Sequence, residues 1–169
     1  MLQRLASAIR DWRGGQRLVA AGELAADFTL DSTEGELTLS RRLLIGSVLL
    51  VFYRPGDPRT AARQLCGYRD DLDVLDQLGL QVLALNDEAK SIHCDLASEH
   101  HLPFPLLSDP DGRVGRAYGA IDRHGRTRSA LVIVGQDRRV RWSHAGGRTA
   151  AMRARDLPTL TRPVRPSSS

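Results

Sequence analysis

Cysteine is scarce in this chain: Cys66 and Cys94 are the only two in 169 residues. Two cysteines cannot build a disulfide framework, and with no recognisable secretion signal they point to a reducing cytoplasm. Aromatic residues make up only 5% of the sequence and are not interleaved with a Lys/Arg stripe, which argues against a dedicated nucleic-acid-binding module. No apolar run approaches the roughly 18 residues needed to cross a bilayer. The opening "MLQRLASAIRDWRGG" is broken by Arg4 and Arg10 and makes a poor signal peptide.

What the chain does contain is ordinary globular material, 41% hydrophobic and 26% charged, enough for one domain with one core. Net charge is +4, with much of the excess at the ends, in Arg4, Arg10, Arg13 and Arg17 and again in Arg153, Arg155, Arg162 and Arg165. Such a distribution supports weak attraction to polyanions and no more. Leu2, Leu5, Ile9 and Trp12 recur at helical spacing. Residues 1–19 are therefore expected as a helical extension packed on the domain or on a second subunit, with attachment to a membrane surface the lesser alternative.

Periodicity organises the rest. "DFTLDSTEGELTL" predicts two short strands around a turn with Glu34-Gly35 at its tip. "SVLLVFYR" (47–54) is almost unbroken apolar sequence, as in a central strand buried on both faces. From Thr60 to Leu78, apolar residues Ala61, Leu65, Tyr68, Leu72 and Leu75 mark one helix face, closed by Gly79. "LQVLALN" reads as a second buried strand. A helix over about 89–101 is expected to present Ala89, Ile92 and Leu96 to the core. "FPLLSD" gives a short strand, "DPDGRVGRAYG" a turn and short helix, and "RSALVIV" with "RVRWSH" a hairpin. The tail from about Leu157 is expected to be disordered. Two crossover helices require parallel strands, so the fold class is α/β, a central mixed β-sheet flanked by helices.

Five segments also resemble one family in order and spacing: "AADFTL", "VLLVFYR", "QLCGYRDDLDVL", "LPFPLLSDPDGRVGRAYG" and "RSALVIVGQDRRVRW". Together they identify a chain similar to the peroxiredoxins of the alkyl hydroperoxide reductase / thiol-specific antioxidant family. Within that family it resembles the bacterioferritin comigratory protein (Q-type) group most. The resemblance runs from about residue 20 to 146 and implies a thioredoxin fold over 20–148, with a C-terminal segment at 149–169. It implies reduction of hydrogen peroxide or organic hydroperoxides, with thioredoxin or a similar dithiol as reductant. No cofactor and no metal are implied, and the assembly expected is a monomer or homodimer.

The active-site loop departs from the family. The Q-type motif F-Y-P-x-x-x-T-P-G-C-x-x-x-x-C, laid on Phe52 without gaps, places its attacking cysteine at Ala61 and its resolving cysteine at Cys66. A related F-Y-R-G-x-W-C-P-x-C pattern places its cysteines at Pro58 and Ala61. A helix N-terminus lowers a thiol's pKa so that thiolate is available to attack, and Ala61 has no such group. Thr60 has a hydroxyl but no evident base and reads better as a helix cap. Arg128 matches the family arginine that steadies thiolate and peroxide, and is otherwise a surface arginine at a strand edge. Arg59 and Arg63 add positive charge near helix amides, so the pocket could hold an anion.

Cys66 lies about 7 Å further along the helix and about 140° round it. It reads either as a small buried core residue or, with Arg63 and Arg69 a turn to either side, as a displaced nucleophile. Cys94 is expected on an exposed face, incidental or paired with Cys66. His93, His100 and His101 lack the four converging ligands a zinc site needs and are expected to be solvated or capping. Two functions remain open: a thiol-dependent antioxidant peroxidase working through Cys66, and a non-catalytic binding or redox-sensing protein built on the relic pocket.

Overall fold

The computed structural model describes residues 17–158. Seven strands form one sheet in the order β2-β1-β5-β4-β3-β6-β7. A hairpin of β1 (Thr29–Ser32) and β2 (Gly35–Thr38) starts it, followed by one helical turn, α1 (Leu39–Arg42). The centre is β3 (Ser47–Phe52), paired in parallel with β4 (Leu80–Asn86) and antiparallel with β6 (Ala130–Val134). β5 (Leu106–Ser108) joins β4 in parallel, and β7 (Val140–Ala145) closes the far edge against β6. The crossovers are α2 (Pro58–Asp70) with α3 (Leu72–Gln77), and α4 (Lys90–His100); α5 (Arg113–Tyr118) follows β5.

Strand alternation divides the core into two layers. Val48, Leu50 and Phe52 face a cluster with Phe28, Leu85 and Tyr118, while Leu49 and Val51, with Tyr53 just beyond the strand, face one with Leu65, Tyr68 and Leu75. Each such side chain, taken fully from water, stabilises the fold by about 1.5–3 kcal/mol. A buried central strand of this kind holds its C-terminal end rigidly, and the loop into α2 grows from that end.

Several expectations change. The turn of the first hairpin is Thr33-Glu34, because Gly35, at φ +97°, already pairs with Ser32 as the first residue of β2. The expected helix Thr60–Leu78 is two helices, broken at Asp71. There the Arg153 guanidinium bonds the Gly67 carbonyl and the Asp71 carboxylate. On α4 it is His93, not Ile92, that packs inward with Leu96; Ile92 is 49% exposed. Residues 149–157 fold back as two short 3₁₀ turns that bury Thr149, Ala154 and Leu157. The helix expected from Leu2, Leu5, Ile9 and Trp12 lies outside the described residues, as does the tail beyond 158.

Gly119 ends α5 at φ +76°, and a Cβ there would collide with the backbone of Arg17 and Leu18. Gly119→Ala should therefore lower stability by about 2 kcal/mol or more, from left-handed strain together with steric overlap. Urea unfolding measures it; a change below about 0.5 kcal/mol would show that the N-terminal strap yields freely.

Candidate functional site

The chain leaves β3 at Tyr53, turns through Arg54–Asp57 and enters α2 at Pro58, whose fixed φ suits a first helical position. Asp57 is the cap. Its Oδ1 accepts the amides of Arg59 and Thr60 at 3.1 and 3.3 Å, and its Oδ2 accepts the Thr60 hydroxyl at 2.6 Å. Thr60 is thus not the cap expected from the sequence but the third residue of the helix, bonded back to it. The Thr60 hydroxyl and these amides hold the Asp57 carboxyl below its usual range. With the Ala61 amide on the Asp57 carbonyl as well, at 3.1 Å, the first turn has little left for an anion.

Above this turn opens a pocket of about 630 Å³. Tyr53, Thr60, Ala61, Gln64, Arg128 and Gly146 are among the residues that line it. Three chain segments, 53–64, 128–129 and 146–150, converge here, since β6 pairs antiparallel with β3 and brings Arg128 to the end of β3 that carries Tyr53. Arg128 turns its guanidinium to the Gly119 carbonyl, donating from Nε and Nη2 at 3.1 and 2.8 Å. Neither Cys66 nor Cys94 is among the lining residues. Both are free thiols and both are half-buried, so Cys66 is not the fully buried core residue that one reading made it, nor is Cys94 fully exposed.

Beneath the pocket runs a buried polar pair. The Tyr53 hydroxyl and His93 Nδ1 are 2.6 Å apart, with the rings edge to face. Burial pushes the Tyr53 phenol up and His93 down, so two neutral groups share this buried hydrogen bond. His93 is therefore a core residue, not the solvated one expected. The signal was present as the helical spacing of His93, Leu96 and Ala97. Gln64 is also buried, and its Nε2 has no hydrogen-bonding partner among the described residues. It lies near enough to Tyr68 to oppose the rise that burial imposes on that phenol, but outside hydrogen-bonding geometry. Asp57, Gln64 and His93 were all missed from sequence.

The model of the AhpC/TSA family matches residues 21–143. The chain belongs to the AhpC/TSA family. It is a peroxiredoxin on the bacterioferritin comigratory protein and peroxiredoxin Q side. A Coxiella burnetii protein bearing the peroxiredoxin name bcp is 33% identical over 103 residues, 61% of this chain and 68% of that protein. The peroxiredoxin of Thermoplasma volcanium is 29% identical over 133 residues, 73% of this chain and 64% of its own length. For the chloroplastic peroxiredoxin Q of Arabidopsis thaliana the values are 29% over 101 residues, 60% and 47%. The chain thus spans about half to two thirds of the length of the latter two. Peroxidoxin BcpB from Mycobacterium tuberculosis shares the fold at a TM-score of 0.71 and 22% identity, over 82% of this chain and 90% of that one.

In this peroxiredoxin the motif position of the attacking cysteine, Ala61, is a wall of the pocket, with Arg128 in the same pocket. The thiol at the resolving position, Cys66, lies outside it.

Proposed function

We propose that the protein is a thiol-dependent antioxidant peroxidase of low turnover, acting on hydrogen peroxide or small organic hydroperoxides through Cys66. The observation that carries this is a half-buried, unbridged thiol on the active-site helix of a peroxiredoxin scaffold. In the reaction the Cys66 thiolate attacks one peroxide oxygen, the O–O bond breaks, and the other oxygen leaves as water or alcohol once protonated. The sulfenic acid formed is reduced by two thiols of a thioredoxin-type reductant, releasing water and a disulfide on that partner. Two free thiols fit a bacterial cytoplasm, and the working unit is a monomer or homodimer.

The helix limits the rate. Cys66 is about 7 Å along α2 and about 140° round it from Ala61, so peroxide seated in the pocket does not meet it. Under excess dithiothreitol, Cys66→Ser should abolish peroxide consumption while Cys94→Ser leaves more than about half; turnover that survives Cys66→Ser sinks the assignment. A second reading, a binding protein without turnover, is favoured by the pocket's lack of any lining thiol. It predicts no consumption by either protein.

A further inference from the structure

A cavity of about 630 Å³ is the size of a small-molecule site, far larger than a peroxide fills. A water molecule, for comparison, takes about 30 Å³ of liquid volume. Pro55, Ala61 and Ala150 give the lining an apolar part. Its charged residues are Arg54, Asp57 and Arg128, two cations against one anion.

The anion is already matched. Asp57 accepts from the Arg59 and Thr60 amides and from the Thr60 hydroxyl, and the charge of Arg59 adds attraction. The cations are not matched in the same way. Arg54 is exposed and makes no hydrogen bond or ion pair among the described residues; a longer-range attraction links it to Asp122. The Gly119 carbonyl that Arg128 bonds is uncharged, so that bond leaves the guanidinium charge in place. Arg148, next to Gly147 of the lining, is a further exposed cation. An excess of positive charge around a partly apolar cavity attracts an anion that carries an aliphatic body.

We propose that this pocket binds a small aliphatic monocarboxylate, its head group held by the charges of Arg54 and Arg128 and its short chain lying over Ala61 and Pro55. The first amides of α2 take no part, because Asp57 engages them. The site does not rest on Cys66, so it is tested on wild-type and Cys66→Ser protein alike. Titration calorimetry with hexanoate should give one saturable site, with a dissociation constant on the order of 1 mM for a ligand this small. Hexanamide, its uncharged counterpart, should bind at least about fivefold more weakly. Acetate keeps the head group without the chain and should bind at least about tenfold more weakly. Arg54→Gln should weaken hexanoate about three- to fivefold, the range of a charge pair open to water. Arg128→Gln should weaken it at least as much; Arg54 is exposed, which keeps the test decisive if Arg128→Gln folds poorly. Arg113→Gln removes an equal charge from a different cavity and should leave the affinity within about twofold. Hexanamide or acetate binding as tightly as hexanoate, or no saturation by hexanoate, would overturn the proposal. So would affinity unmoved by Arg54→Gln and Arg128→Gln, or weakened equally by Arg113→Gln. Hexanoate binding retained in Cys66→Ser supports it, whatever becomes of the peroxidase activity.

Discussion

Ala61→Cys is expected to raise peroxide consumption by at least about a hundredfold over the wild-type protein, equivalent to about 2.7 kcal/mol of barrier. The substitution places sulfur at a position of α2 that lines the pocket, in the helix's first turns. There the helix dipole favours thiolate, and Arg128 lines the same cavity. The existing thiol shares none of this, because five helical residues carry it out of the cavity. Asp57 works against the gain: its carboxylate, held ionised by Thr60 and the neighbouring amides, sits at the same helix start. Adding Asp57→Asn to Ala61→Cys should therefore lower the pH at which the introduced thiol is alkylated by iodoacetamide. Stopped-flow kinetics with hydrogen peroxide measures the first effect. An introduced thiol that alkylates readily yet leaves consumption at the wild-type level would mean the pocket no longer orients peroxide, and would remove the basis for any peroxidase reading of this cavity.

Stability should fall as pH drops below about 6.5, and His93 is the cause. Burial lowers its pKa in the folded protein, partly opposed by Glu88, while the unfolded chain titrates near 6.5. Below that value the unfolded state binds the proton first. Stability is then lost by up to about 1.4 kcal/mol per pH unit until the folded-state value is reached. Above about 7 the neutral imidazole keeps the Tyr53 bond and the loss vanishes. Asp57 and Glu23, whose folded-state values are lowered, lose their contributions only at more acidic pH, as it falls through the usual carboxylate range and below it. Urea titrations between pH 7.5 and 5 separate the two effects. His93→Leu should flatten the profile in that window and cost about 1–3 kcal/mol at pH 7.5 by leaving the Tyr53 hydroxyl without its partner. A profile that His93→Leu leaves equally steep would assign the dependence to other groups.

Much of the architecture could be read directly. The largely apolar runs at 47–52 and 80–86 announced buried parallel strands, and the structure pairs them residue for residue, Ser47 with Leu80 through Phe52 with Leu85. Helix faces were less legible, because periodicity assigns a stripe without knowing what it meets. Ile92 and His93 are neighbours in sequence, and hydropathy chose Ile92 for the core. The fold chose His93, since the Tyr53 hydroxyl lies where a polar partner is needed and an isoleucine there would leave it unpaired. Thr60 is a similar case: both Asp57 and Thr60 suit a cap, and only the helix start at Pro58 decides between them.

By itself the sequence determined the fold class, the family and the absence of a thiol at Ala61, because these reside in local pattern and in motif spacing along one strand and helix. Tertiary structure alone decided that Ala61, Gln64 and Arg128 share one cavity, that Cys66 is outside it, and that Arg153 bonds the helix junction at Asp71. Those outcomes depend on antiparallel pairing between β3 and β6 and on a C-terminal segment folding back more than 80 residues along the chain. Contacts of that range leave no periodic trace in sequence, since each is made by a single residue meeting another whose place is known only after the sheet has formed.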